Sequence, residues 1–226
     1  MKTYITDEFS GLEYVPLEPS DTFSYECNRC GNCCRNVKSA VSLEPLDVYR
    51  IAKHMHKSTE DVIVDYTDFE LIAQNFVAPF VKTKGDKDEC IFLKDNRCTI
   101  NDCKPRTCRM FPMSASPGIN GDLEYMWVSK EHHGYGPGKL RVHDWMEAAI
   151  SPEDREFLRL EYDYVMKLGK LIRQFPASPN EAVIKTVMLH RYVAYEPTAD
   201  FIPQYKNNMA ALMSTLTRIY EIARKD

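Results

Sequence analysis

Eight cysteines fall into two groups, Cys27-Cys30-Cys33-Cys34 and Cys90-Cys98-Cys103-Cys108. The first contains a C-x2-C-x2-C run, the spacing by which bacterial ferredoxins place three thiolates on one iron–sulfur cluster, a fourth ligand coming from elsewhere. Two intervening residues let the chain curl so that successive sulfurs face one centre while backbone N–H groups point at the same sulfurs, and Gly31 permits the tight turn. Arg29, Arg35 and Lys38 are placed to offset thiolate charge and favour deprotonation. Cys34 adjoins Cys33 and adjacent side chains usually diverge, so the pair is expected to serve two different metal centres. In the second group Cys90 and Cys98 flank a strand and a turn, and Pro105 starts a short helical turn carrying Cys108. A metal shared between the groups would close a long loop. For structural zinc the gain is on the order of 10–16 kcal/mol in small peptides, comparable to the whole stability of a domain.

The elements that must position these groups are mixed. Residues 1–26, with Pro16 and Pro19 and no sustained period, read as an extended arm. Glu44-Pro45-Leu46-Asp47 resembles a helix start, with Leu46, Val48, Ile51, Ala52 and Met55 on an apolar face. Ser58 and Asp61 have capping-box spacing for a second helix to about Tyr66. Residues 76–84 and 90–93 bracket Gly85-Asp86-Lys87-Asp88 and predict a hairpin, to which residues 123–128 add a third strand. The last third is helical. Ser151-Pro152-Glu153-Asp154 and Ser178-Pro179-Asn180-Glu181 begin helices to about Gln174 and Tyr192, and a final helix spans about residues 203–224. The fold class is therefore α+β, mainly helical. A cysteine-rich metal-binding part with a small antiparallel hairpin occupies residues 1–140, and a helical C-terminal extension packed on it occupies residues 141–226.

At 226 residues the chain can bury a core without covalent staples. With 29 basic against 33 acidic residues it lacks the positive field of a nonspecific nucleic-acid binder, a local basic patch aside. Neither an export signal nor a membrane span of about 20 apolar residues is evident. The chain therefore reads as soluble and cytoplasmic, where reductants keep thiols unpaired and metal binding is the leading use of eight cysteines. A disulfide reading would return for a hyperthermophile.

Other groups are weaker candidates. His54 and His56 lie two apart, cannot share a helix face, and read as surface residues. His143-Asp144-Trp145 reads as a turn entering a helix, and His190 as a satisfied core histidine. Gly134-Tyr135-Gly136-Pro137-Gly138 lacks the Lys-Ser/Thr of a phosphate loop. It more plausibly lets backbone approach a cluster or small ligand, with Tyr125, Trp127 and Tyr135 either lining a pocket or belonging to the core.

Cys27-x2-Cys30-Gly31-x-Cys33-Cys34-Arg35, then Cys90-x-Phe92-Leu93, Cys98-x-Ile100, Pro105 and Cys108-Arg109-x-Phe111-Pro112 resemble the CxxCxxCC family of zinc- or iron-chelating proteins, the YkgJ-type cysteine cluster proteins. The similarity spans about residues 25–138. It implies a metal-binding domain, iron–sulfur in preference, with Cys27, Cys30, Cys33, Cys34, Cys90, Cys98 and Cys108 as cofactor ligands. A related domain occurs in flagellin lysine N-methylases, which are linked to an iron–sulfur cluster and S-adenosylmethionine. The chain departs from the family pattern at Cys103, Asn101 and Lys104. Where many relatives carry a Cys-Pro-Gly segment it has His132-His133-Gly134, so either Cys103 compensates or His132 is the substitute ligand, as imidazole can be on zinc or a Rieske-type iron.

Three functions follow as alternatives. One is a 4Fe-4S redox or radical-type enzyme or electron carrier. Another is a binding or structural protein fixed by zinc. The third is a modifying enzyme like the lysine N-methylases, acting on a protein or peptide, although no glycine-rich methyltransferase loop after a strand is evident.

Overall fold

The computed structural model describes residues 5–6, 13–26, 30–73, 75–117, 123–128, 139–176 and 180–224. Cys27, Arg29, His132, His133 and the segment from Gly134 to Gly138 lie outside the described residues, as do Ser178 and Pro179. Half of the structure is helix and about a fifth strand, which makes it a mainly helical α+β chain with small antiparallel sheets.

The N-terminal arm is extended, as its sequence predicts, but it is not loose. It supplies β1 (Ile5–Thr6), β2 (Glu13–Leu17) and β3 (Thr22–Phe23). Pro16 is tolerated in β2 because the neighbours divide the strand: β1 pairs only with Glu13 and Tyr14, while residues 15–17 pair on the other edge with a later strand.

Helices α1 (Pro45–Met55) and α2 (Thr59–Tyr66) begin where their caps place them. The Glu44 N–H donates to Asp47 Oδ2 at 3.1 Å, and Ser58 and Asp61 form the reciprocal box. The hairpin that follows differs from the sequence expectation. Strand β5 (Phe76–Val81) pairs backward with β4 (Thr67–Ala73), and only β6 (Thr83–Lys84) and β7 (Glu89–Cys90) close over the Gly85 turn. Strand β4 was not legible because most of its side chains are exposed, Phe69 and Leu71 among them, so no alternation marks a buried face. Next, β8 (Leu93–Lys94) and β9 (Arg97–Cys98) close over Asp95-Asn96, both at positive φ, the turn geometry that Asp and Asn tolerate.

After α3 (Arg106–Met110) come β10 (Met113–Pro117) and β11 (Leu123–Trp127). Residues 123–127 are a strand, yet not of the cysteine hairpin: β11 lies between β10 and β2 in the order β1-β2-β11-β10. Strand β12 (Leu140–Arg141) pairs with β3 and leads into α4 (Val142–Ala149). The C-terminal third consists of α5 (Pro152–Ile172), α6 (Glu181–Met188) with a π-helical continuation over Leu189–Val193, and α7 (Phe201–Ala223).

Helix α1 is packed on two sides. Leu46 and Tyr49 join Phe157, Val183, Phe201, Tyr205 and Leu212 in the helical core. Val48, Ile51 and Ala52 join Val62, Phe92 and Ile100 in a second core, against whose edge Cys90, Cys98 and Cys103 pack. A third cluster gathers Met110, Met113, Val142, Met146 and Ile150. The cysteine hairpins thus rest on a rigid helix that is itself held by the C-terminal helices.

Candidate metal centre

The first cysteine loop turns at Gly31, whose φ of +74° is a left-handed conformation that glycine adopts without strain. A 3-10 turn over Asn32–Cys34 follows, closed by the Cys34 N–H on Gly31 O at 3.1 Å. Cys33 is exposed, while Cys30 and Cys34 are half-buried. Cys33 is the largest influence raising the Cys34 thiol, so the two sulfurs lie close to each other. Consecutive Cα atoms are only about 3.8 Å apart, so adjacent side chains can meet when their rotamers turn together.

Cys90 and Cys98 repeat one local geometry. Each ends a short strand, enters a turn, and receives on its sulfur the backbone N–H of the residue two further on, Phe92 and Ile100 respectively. Such a donor favours the thiolate. Burial opposes it and is the stronger influence, so both thiols titrate above their ordinary value. Cys103 closes a 3-10 turn over Asn101–Cys103, where burial and the neighbouring Cys98 push it up to about 11. Cys108 lies in the middle of α3, and burial followed by the charges of Cys90, Asp47, Cys33 and Cys98 raises it strongly.

Backbone and one arginine join the two groups. The N–H groups of Asn36 and Val37 donate to Lys87 O and Asp88 O at 2.8 and 3.1 Å, and residues 41–43 run along β5. Arg35 sends Nε to Glu89 Oε1 at 2.9 Å, Nη2 to Asn96 Oδ1 at 2.5 Å and Nη1 to the Cys30 carbonyl at 3.5 Å. It acts as a clamp between loops, not as the charge partner of a thiolate. The cations that favour thiolate are Lys84 for Cys90 and Lys104 for Cys98. Gly31 approaches β8 and β9 so closely that a Cβ would sit 3.0 Å from both Asn96 O and Leu93 Cδ1.

Cys33 and Cys34 consequently lie within electrostatic reach of Cys90 and Cys108, and Cys33 also of Cys98, across more than fifty residues of sequence, while Cys103 feels Cys98. All seven described cysteines carry reduced thiols. Among the described residues no three Cys, His, Asp or Glu side chains close into a finished metal cage. His54, His56 and His143 are exposed. His190 is not the satisfied core histidine that its neighbours suggested: it is half-buried, its Nδ1 has no hydrogen-bond partner among the described residues, and burial lowers its pKa.

Two ionic groups hold α3, and neither stands out in the sequence. Arg106 donates Nε and Nη2 to Glu44 at 2.9 and 2.7 Å, while its N–H meets Asp47 Oδ1 at 2.9 Å. Burial and Glu44 push Asp47 up to about 7. Arg109, beside Cys108, binds both oxygens of Asp154 at 3.0 and 2.8 Å, and Arg50 of α1 reaches the same carboxylate at 2.6 Å. Burial would raise the Asp154 carboxyl, but the Arg109 and Ser151 hydrogen bonds and the two guanidinium charges hold it well below the usual range. Sequence reading recognised Asp154 only as a helix cap; its second role depends on α1 and α3 arriving at the same point.

Soft sulfur donors from two distant loops lie near one another here, the type of side chain that suits zinc or iron. Residues 26–133 match the model of the CxxCxxCC family, described as "Putative zinc- or iron-chelating domain". No curated protein and no solved structure matches the chain.

Proposed function

We propose that the chain is an iron–sulfur protein acting in electron transfer or radical-type chemistry. Its ligands are drawn from Cys27, Cys30, Cys33 and Cys34 on one loop and Cys90, Cys98 and Cys108 on the other, with Cys103 and His132 as further donors. The observation that carries this reading is the mutual approach of thiols from both loops, each held by backbone that also supplies N–H to Cys90 and Cys98. Burial disfavours bare thiolates here, so the buried sulfurs fit a cation that compensates their charge, and its uptake must release protons. An iron–sulfur group would supply one-electron chemistry, and zinc in the same thiols would supply the fold alone. Reduced thiols suit a cytoplasmic setting. Among the described residues no helix is long and apolar enough to cross a membrane. Residues 1–140 form the metal-binding part and residues 141–226 its support, tied to it by the ion pairs of Asp154 with Arg50 and Arg109.

Anaerobic purification with iron, acid-labile sulfide and zinc analysis tests the proposal. Brown protein absorbing near 400 nm with sulfide supports it, whereas colourless protein with stoichiometric zinc and no sulfide supports the structural alternative. Cys30→Ser should abolish metal content, and Cys103→Ser should retain much of it if Cys103 is only incidental. Unchanged stoichiometry in Cys30→Ser defeats the ligand assignment.

A further inference from the structure

A cleft of about 400 Å³ opens beside the thiols, with Cys33 and Cys108 in its lining. That volume suits a small organic molecule. One wall is aromatic: Tyr25 meets Trp145 edge to face at 5.3 Å and Phe111 at 6.3 Å. Trp145 is fixed by its Nε1–H donated to Met110 O at 3.0 Å, so the wall is formed before any ligand arrives. On the α4 side Ala148 and Ala149 add little bulk, which leaves room for a flat ring against Trp145.

The polar lining is one-signed. Lys104 and Arg109 are both present and no carboxylate is among the described lining residues. Arg109 has its terminal nitrogens committed to Asp154, so what it offers a ligand is chiefly its planar face. Lys104, which also acts on the nearby Cys98 thiol, is the lining cation that faces an incoming anion without a carboxylate partner among the described lining residues. Asn101 adds an amide at the same place. An ammonium or methylammonium group, including a lysine side chain, would meet these cations with no opposing acid. An uncharged hydrocarbon would leave Lys104 desolvated without compensation.

We propose that this cleft binds a small aromatic carboxylate, its ring against Tyr25, Phe111 and Trp145 and its anionic end at Lys104, adjacent to the thiol site. The proposal takes its setting from the metal reading above, and the two fail separately: metal analysis reports on one and ligand titration on the other.

Benzoate is the probe, with benzamide as its neutral isostere and acetate as the ringless anion. In full-length protein carrying Trp127→Phe, Trp145 is the single remaining tryptophan and reports on the cleft. Benzoate should change its emission saturably, with benzamide and acetate at least about tenfold weaker, roughly the effect of one lost charged contact. Lys104→Met should weaken benzoate about tenfold with circular dichroism unchanged, and Lys104→Arg should restore it. A flat benzoate titration, equal affinity for benzamide, or undiminished benzoate affinity in Lys104→Met overturns the proposal.

Discussion

Replacing Asp154 by Asn keeps the size of the side chain and removes the charge on which α1, α3 and α5 converge. The Asp154 side chain is 2% exposed and lies between Arg50 at 2.6 Å and Arg109 at 2.8 Å. Removing one partner of a buried ion pair costs about 3–5 kcal/mol, because a charge is left behind without compensation. Here the lower end applies. Arg50 keeps Glu153 at 2.7 Å, and the two arginines, 19% and 24% exposed, retain some water. A loss of about 3 kcal/mol corresponds to roughly 6–12 °C in Tm for a chain of this size. The pH dependence adds a second signature. Asp154 titrates well below its ordinary value when folded, so as pH falls the unfolded chain takes up that proton first. The stabilisation is therefore complete above about pH 5 and is lost progressively as pH drops through 4 and below. Urea unfolding of wild type and Asp154→Asn should show a gap of about 3 kcal/mol at pH 7 that narrows under acid, and a cycle with Arg109→Met should be non-additive by about 1 kcal/mol or more. A gap below about 1 kcal/mol, one that does not change with pH, or strict additivity would refute the ion-pair account.

Gly31→Ala places an L side chain at φ +74° and its Cβ 3.0 Å from the Asn96 carbonyl, so metal retention against a chelator should weaken at least about tenfold, from a conformational cost of about 1–2 kcal/mol alone. Unaltered retention would mean that the two loops need not approach as closely as they do. His190→Leu removes an imidazole whose Nδ1 is buried without a partner and whose pKa burial lowers. Protonation then favours the unfolded wild type as pH falls through about 6.5, so the variant should gain stability relative to wild type below that pH, read by thermal melts at pH 7.5 and 5.5.

Much of the local architecture was written in single positions. Ser58, Ser151 and Asn180 cap helices because each side-chain oxygen accepts an N–H three residues on, a contact within one turn. Pro105 sets the start of α3, and Gly31 and Gly85 take left-handed turns that their lack of a Cβ allows. The metal-chelating character was likewise legible, since the spacing of Cys27 to Cys34 and the residues around Cys90 to Cys108 carry a resemblance that the family model matches over residues 26–133.

What lay beyond the sequence were the long-range choices. The return of β5 onto β4, the placing of β11 between β2 and β10, and the exposed β4 itself all depend on which edges are free once the cores close. The contact of Cys33 with Cys34 depends on rotamers, and Arg35 became a clamp because Glu89 and Asn96 arrive within its reach. Capping, turns and ligand spacing depend on a few neighbouring residues and can be read from them. Pairing between distant segments is decided by the burial and charge compensation of the whole chain at once, which only the tertiary structure displays.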